Sequence, residues 1–551
     1  MTVGYGDWVM IGAASSSNER DPDSTTLGKF LVRAAEAYAS RPAVVWNDRT
    51  LSFADLLHES ACVANGLSAL GVRSGDRVAI WMPNAPAWLA LHFASAMLGA
   101  ILVAINPRFR SHEVGDVIAR SGSKMLVIRP SFRGFDFIST LHEIDPNLLE
   151  PLETVVLYGE DDAHLVRERL GKRAISYAEL AKAPPVAVDL GSSTLGSNIF
   201  TTSGTTSVPK FVLHSQQAIV THASWVAKAA AYSPDSVQLL CLPLCGIFGF
   251  VQAMAALASG SCLVMQASFD AKGAAELIRA NKVTTLCASD EMLARLFAEP
   301  AGQIPFPSLQ WASFGSFSPE LSDLPSQLSQ RGVRLVGIYG SSEMQAIFTH
   351  QSIRAELPGR AVAGGLLVAP TAQVRVRDIS TGKLVGPGTA GELELKGPSL
   401  MLGYFGDERA TEEVFSPDGF FRTGDLGRVL PGGSVVFLGR MRDVLRLGGY
   451  LVAPAEIESY VQQHRSVDAC QVVDVAGPSG TIAVAFVTLR PNERFSATAL
   501  QEFCSQRLAK FKVPRSFVCI DAFPVTSGPN GTKVQRTKLR DIAAQRIAAG
   551  Q

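Results

Sequence analysis

Short β-branched runs recur along this chain, and alanine-rich amphipathic stretches separate them. Arg77-Val-Ala-Ile-Trp81, Lys124-Met-Leu-Val-Ile128, Glu153-Thr-Val-Val-Leu157, Cys262-Leu-Val-Met265 and Val283-Thr-Thr-Leu286 are such runs. Their spacing leaves room for a helix between neighbours, which predicts α/β units with largely parallel strands. After about Thr371 the texture changes. Val374-Arg-Val-Arg377, Gly391-Glu-Leu-Glu-Leu-Lys396 and Ser434-Val-Val-Phe-Leu438 alternate or cluster between Gly-Pro turns, as antiparallel strands of a small β-rich subdomain do. The last hundred residues read as a helix over 455–464, strands over 469–475 and 482–489, a helix over 497–509 and a strand over 516–520. The expected fold class is α/β: a large N-terminal domain of layered α/β subdomains with a β-rich part over 27–441, then a small α+β C-terminal domain over 442–551. The polar run at 15–26 reads as the end of a disordered arm over 1–26.

Residues 87–105 challenge that scheme, because nineteen residues without a charged side chain would cross a bilayer. Gly99 divides them. Ala, Leu and Phe dominate before it, and Ile101-Leu-Val-Ala-Ile105 follows, so the stretch reads as a buried helix and then a buried strand. Hydrophobic residues at 47% and charged residues at 18% exclude a mainly disordered chain. Lys plus Arg and Asp plus Glu each total 50, and this balance argues against a chain that coats nucleic acid. Eight cysteines without a C-x-x-C pair point to reduced thiols, not to a zinc site or a disulfide framework. No basic region precedes the short apolar stretch at 8–14 and no anchor is evident, so the expected placement is cytoplasmic.

The stretch Phe200-Thr-Thr-Ser-Gly-Thr-Thr-Ser-Val-Pro-Lys210 follows an apolar strand at 197–200 and precedes a helix expected from about Gln216. Crowded hydroxyl residues would be costly in a core. Backbone N–H groups, hydroxyls and one cation suit a loop that wraps a polyphosphate. The spacing is not that of a G-x-x-x-x-G-K-[ST] loop. A polar turn between strand and helix has the same composition, so the loop alone leaves both readings open.

That loop resembles the phosphate-binding signature of the adenylate-forming superfamily, which contains acyl-CoA and aryl-CoA synthetases, nonribosomal adenylation domains and firefly luciferase. Leu242-Pro-Leu244, Tyr339-Gly-Ser-Ser-Glu343, Gly391-Glu-Leu393, Gly403-Tyr404 and Phe421-Arg-Thr-Gly-Asp-Leu-Gly427 resemble the family's further motifs, in order. So do Gly439-Arg-Met-Arg-Asp443, Pro454-Ala-Glu-Ile-Glu458 and Gly531-Thr-Lys-Val-Gln-Arg536.

The resemblance implies attack of a carboxylate on the α-phosphorus of ATP, departure of pyrophosphate, and then displacement of AMP by a thiol. It implies that Thr202, Ser203, Gly204, Thr205, Thr206 and Lys210 hold the ATP phosphates. Tyr339, Gly340, Ser341 and Ser342 would line the nucleotide, with Tyr339 stacked on adenine, and Asp425 and Arg440 would hold the ribose. Glu343 matches a carboxylate that helps to hold Mg²⁺. Lys533 matches the lysine that stabilises charge gathering between carboxylate and α-phosphate. Arg442 occupies a hinge about which the small domain moves between half-reactions, and Gly448 and Gly449 would wall a thiol tunnel.

Several positions depart from the family pattern. Ser207 and Phe211 replace loop glycines, Gly246 stands where relatives carry histidine or an aromatic, and Phe314-Gly315-Ser316-Phe317 replaces Gly-Gly-Ala-Pro. Gly246, Ile247, Phe248, Gly249, Phe314, Gly315, Phe317, Gly337 and Met344 are the expected acid-pocket positions, apolar, widened by glycines and without Arg or Lys. They predict a hydrophobic monocarboxylic acid, aromatic or of medium to long chain. ATP, Mg²⁺ and coenzyme A are the expected cofactor and co-substrates. The alternatives are a stand-alone adenylation enzyme that loads a carrier-protein phosphopantetheine and a degenerate nucleotide-binding regulator. Only 18 residues follow Lys533, which favours free CoA. A carrier-protein partner and a homodimer stay open; nucleic acid and an integral membrane segment are not expected.

Overall fold

A computed structural model describes residues 25–159, 162–186, 189–202, 209–298, 302–316, 321, 323–441, 445–447, 450–452, 454–477, 480–506, 508, 512–528 and 531–548. An eight-stranded sheet has the order Gly403–Tyr404, Lys210–Ser215, Gly196–Thr202, Ile101–Ala104, Arg77–Trp81, Met125–Ile128, Thr154–Leu157 and Arg173–Ser176. From Gly196–Thr202 onward its strands run parallel. Along Arg77–Trp81 the side chains alternate between two cores. Val78 and Ile80 join the core shared with the second sheet, whereas Ala79 and Trp81 face helices Ser111–Ser121, Phe137–His142 and Ala163–Leu170. Both faces are covered, which is why such runs are apolar without interruption.

The second sheet has fourteen strands. Pro42–Trp46, Cys262–Met265, Val237–Leu240, Thr285–Ser289, Trp311–Gly315 and Arg334–Tyr339 run parallel. Antiparallel pairing then continues through Thr349–His350, Gly364–Leu367, Val435–Arg440, Phe421–Val429, Gly391–Lys396 and Gln373–Arg377. The β-rich part expected after Thr371 is thus a continuation of the α/β sheet and begins earlier, near Thr349. The joining strands have two and four residues, too few to display alternation.

The uncharged stretch is the helix Pro86–Met97, buried along its whole length, followed by the strand Ile101–Ala104. Gly99 turns between them with φ +68°. The helix lies in the shared core with residues of Leu27–Tyr38, Gln216–Ala229 and Ile247–Ala258. Among the described residues no helix is long and apolar enough to cross a membrane.

Residues 1–24 of the expected arm lie outside the described residues. Thr25 and Thr26 are buried, and Thr26 Oγ1 accepts the Lys29 N–H to cap the first helix. In the small C-terminal unit, Val467–Gly477 pairs antiparallel with Gly480–Leu489, and Ala497–Ser505 leads to the parallel strand Ser516–Cys519. Helices Pro454–Val461 and Arg536–Ala548 and two two-stranded sheets, Leu445–Leu447 with Tyr450–Val452 and Val525–Gly528 with Gly531–Val534, also belong to it. Among the described residues its apolar clusters share no member with those of the large unit.

Candidate active site

Antiparallel register places Asp425, within Phe421–Val429, opposite Arg440 at the end of Val435–Arg440. The Asp425 side chain is 1% exposed, and its Oδ1 lies 3.1 Å from Arg440 Nε. The Tyr339 hydroxyl donates to Oδ2 at 2.7 Å, and the Asp425 N–H donates to Thr423 Oγ1 at 3.0 Å. Tyr339 ends the last parallel strand, and its ring stacks on Phe437 at 5.2 Å and 21°. Burial and then the Asp425 carboxylate push the Tyr339 phenol well above its ordinary value, so it remains a proton donor. Sheet register thus gathers two strands and a tyrosine from a third around one buried carboxylate. Such bonds to a charged group are worth about 1.5–3 kcal/mol each.

Beyond Tyr339 the chain turns sharply. A Cβ on Gly340 would lie 1.8 Å from the Ala346 carbonyl oxygen, so only glycine permits this approach. Gln345 and Ala346 both adopt φ +59°, strained for residues with a Cβ. Two buried imidazoles hold the turn. His214 Nε2 lies 2.8 Å from Ser342 O, and His222 Nε2 lies 2.9 Å from Gln345 O. A carbonyl only accepts, so Nε2 carries the proton in both rings. Burial lowers His214 to about 4 and His222 to about 3, keeping both neutral.

The held turn presents Glu343. Ser341 Oγ donates to its Oε2 at 2.6 Å and the Tyr404 hydroxyl to its Oε1 at 3.0 Å. Lys210 Nζ lies 4.3 Å from the centroid of the Tyr404 ring, a cation–π contact. Lys210, Tyr404, Glu343 and Ser341 therefore form one connected set. Neither His214 nor His222 stands out in the sequence. Tyr404 does have a signal, its place in Gly403-Tyr404 within the ordered motifs.

Thr202 and Lys210 are register partners on the antiparallel strands Gly196–Thr202 and Lys210–Ser215. The helix does begin at Gln216, but a strand precedes it, so the loop joins two strands instead of a strand and a helix. Period-2 burial explains the strand: Phe211 and Leu213 enter one core, and Val212 enters another. Ser203, Gly204, Thr205, Thr206 and Ser207 lie outside the described residues. Phe211 is buried in its core, and the Arg120 guanidinium sits 4.2 Å from its ring centroid while donating to Pro209 O at 3.0 Å. The ring in place of a glycine is thus accommodated by packing beneath the strand.

On the acid side the expectation of a cavity widened by glycines needs correction. Gly246 is the N-cap of the buried helix Ile247–Ala258. A Cβ on Gly249 would lie 2.5 Å from Pro243 O, and one on Gly337 would lie 2.1 Å from Val362 O. At both positions backbone already fills the space, so these glycines serve close packing. Phe248 and Phe314 share one buried cluster, Met344 lies in another, and Gly337 is the register partner of Phe314. Gly315 ends Trp311–Gly315 beside Ser289. Lys533 lies on the strand Gly531–Val534 of the small unit, opposite Thr526. Arg442, Gly448, Gly449 and Phe317 lie outside the described residues.

Residues 31–405 match the family model of AMP-binding enzymes, and residues 456–528 match that of the AMP-binding enzyme C-terminal domain. The mitochondrial medium-chain acyl-CoA ligase ACSF2 of Mus musculus is 28% identical over 568 residues, covering 95% of this chain and 88% of that protein. O-succinylbenzoate coenzyme A synthetase from Bacillus subtilis, solved in complex with AMP, is 25% identical with a TM-score of 0.74, over 93% of this chain and 98% of that one. The fatty acyl CoA synthetase of Mycobacterium tuberculosis is 28% identical with a TM-score of 0.70, over 95% and 99%.

Proposed function

The chain belongs to the AMP-binding enzyme family of adenylate-forming ligases, and from that premise we propose that it activates a hydrophobic monocarboxylic acid with ATP and passes the acyl group to the thiol of coenzyme A. The observation that carries this reading is the buried Asp425 carboxylate, paired with Arg440 and held by Tyr339, together with a second carboxylate, Glu343, fixed by two hydroxyls. Asp425 accepts bonds from the ribose hydroxyls, Arg440 closes on the same sugar, and Tyr339 stacks on adenine. Thr202 and Lys210 flank the phosphates at the two ends of the loop that includes Ser203, Gly204, Thr205 and Thr206.

A divalent cation suits Glu343. Each of its oxygens accepts one hydroxyl proton and keeps a further lone pair for a hard metal. Among the described residues no group of three or more His, Cys, Asp or Glu is gathered, so the site fits a cation that completes its shell with phosphate oxygens and water, as Mg²⁺ does. Such an ion would offset phosphate charge and ease departure of pyrophosphate.

In the first half-reaction a carboxylate oxygen of the acid bonds to the α-phosphorus, and the bond to the bridging oxygen of pyrophosphate breaks. Lys533 stabilises the charge that gathers on this path and is absent from the separated substrates. It belongs to a domain over 442–551, distinct from one over 27–441, so adenylation needs the two closed together. The small domain then turns about Arg442 and brings Gly448 and Gly449 beside the thiol. In the second half-reaction the sulfur bonds to the acyl carbon and AMP leaves.

The names of the relatives carry different acids, so the acid here is read from this chain's own residues. The buried rings Phe248 and Phe314 and the thioether of Met344 favour an aromatic or medium- to long-chain acid. Cytoplasmic placement is part of the same reading.

Pyrophosphate release from ATP and Mg²⁺ across a panel of aromatic and fatty acids, with and without CoA, tests the proposal. A burst that becomes steady turnover when CoA is added is expected. A burst indifferent to CoA would transfer the acyl group to another acceptor such as a carrier protein. ATP binding without release for any acid would leave the chain a nucleotide-binding regulator.

A further inference from the structure

Two of the small domain's signature segments meet in a buried ion pair. Glu458, on Pro454–Val461, has a side chain with 0% exposure, and Arg536, the first residue of Arg536–Ala548, is 18% exposed. Arg536 Nη2 lies 2.8 Å from Glu458 Oε1 and 3.0 Å from Gln471 Oε1, and the Val472 N–H donates to the same Glu458 oxygen at 2.8 Å. One guanidinium thereby joins two helices and the strand Val467–Gly477.

The place of this junction matters because of its neighbour. Val525–Gly528 and Gly531–Val534 form a two-stranded sheet of their own, and Lys533 sits on its second strand. A two-stranded ribbon is marginal by itself, so its direction depends on how its ends are tied. Gln535 alone separates the ribbon from Arg536, and its N–H donates to Pro524 O at 2.8 Å, closing the ribbon's base. Val534 packs on the cluster that contains Val473, Phe486 and Leu539. One turn further on, Arg540 pairs with Asp474 at 3.0 Å, farther from the ribbon and more exposed.

We propose that Arg536 and Glu458 are a positioning pair that fixes the lysine ribbon on the small domain, so that Lys533 reaches the reacting phosphate during adenylation and the thioester step is left independent of the pair. This rests on the role of Lys533 proposed above. Apolar side chains could hold the same elements together. The planar fork adds direction, which a lysine ammonium at 536 cannot reproduce.

The full-length protein tests this with the acid that supports turnover. Pyrophosphate release in a single turnover reads adenylation, thioester formation from supplied acyl-adenylate and CoA reads the second half-reaction, and the thermal midpoint reads folding. Arg536→Lys keeps a cation against Glu458 and is expected to fold. It should lower adenylation by about a hundredfold, the scale of a displacement near 1 Å, with thioester formation within about threefold of the unchanged protein. Glu458→Gln should show the same split. Parallel loss of both half-reactions, or no loss of either in a folded Arg536→Lys, overturns the pair's role. Lys533→Ala separates the two levels. If it abolishes release while Arg536→Lys does not, the positioning role alone falls; if it releases pyrophosphate normally, the role of Lys533 falls and this inference with it.

Discussion

Asp425 and Lys533 carry opposite ends of the proposed reaction, and the chain builds them in differently. Asp425 lies inside a fourteen-stranded sheet, where register sets Arg440 opposite it and the last parallel strand, with three strands between them in the sheet order, ends in Tyr339, whose hydroxyl reaches it. Lys533 rides on two short strands tied at their base by the Arg536–Glu458 ion pair, the Gln535–Pro524 backbone bond and the packing of Val534. A group that must hold a nucleotide throughout gains from a rigid sheet. A group that must arrive for one step and leave for the next is better carried on a small separate body. Adenine and ribose binding should therefore be separable from adenylation chemistry.

The largest expected effect sharpens that contrast. Lys533→Ala should reduce pyrophosphate release by about a hundred- to a thousandfold, while AMP affinity by calorimetry stays unchanged; a matching loss of AMP affinity would break the comparison. Asp425→Ala should do the reverse in kind, weakening AMP by about ten- to a hundredfold through loss of charge-assisted bonds. Next comes rigidity itself. Gly337→Ala drives a methyl to 2.1 Å from Val362 O, and an overpacking cost of about 1–3 kcal/mol should lower the thermal midpoint by several degrees. An unchanged midpoint with altered acid preference would return Gly337 to the pocket wall. Tyr404→Phe removes one bond to Glu343 but leaves a ring for Lys210, and should lower MgATP-supported adenylation by about two- to tenfold in initial rates.

A last effect concerns acid. His92, His214, His222 and His350 are buried, all in the large domain, and burial lowers them to about 3, 4, 3 and 4. A lowered folded value means that the unfolded chain takes up protons first as pH falls below about 6.5, so stability is lost from there toward 3–4. Between pH 7 and 6 each ring should remove somewhat less than about 1 kcal/mol. Five of the six tryptophans, at 46, 81, 88, 225 and 311, lie in the large domain and none follows residue 311, so the change in their fluorescence on unfolding follows the large domain and not the small one. Its midpoint should fall over that interval, and a flat profile would remove the large domain's distinct acid sensitivity.

Local pattern made a good part of this legible. The β-branched runs became parallel strands at or near their expected positions, and 87–105 became a helix and a strand divided at Gly99. The ordered motifs pointed to Asp425, Arg440, Tyr339 and Glu343, and the large sheet brings the first three together. The strand Lys210–Ser215 was obscured because five of its six residues are buried, on both faces, which leaves no distinctive period in sequence.

What the sequence by itself determined is the alternation of elements and the residue types of the chemistry, since periodicity and motif spacing are local properties. The tertiary structure decided which of those residues touch. His214 and His222 reach the carbonyls of Ser342 and Gln345 across 128 and 123 residues, and Arg536 reaches Glu458 across 78. Gly249 and Gly337 proved to be points of backbone approach instead of openings. Contacts over such separations depend on strand order and on which side chains exclude water together, and no local stretch of sequence encodes either.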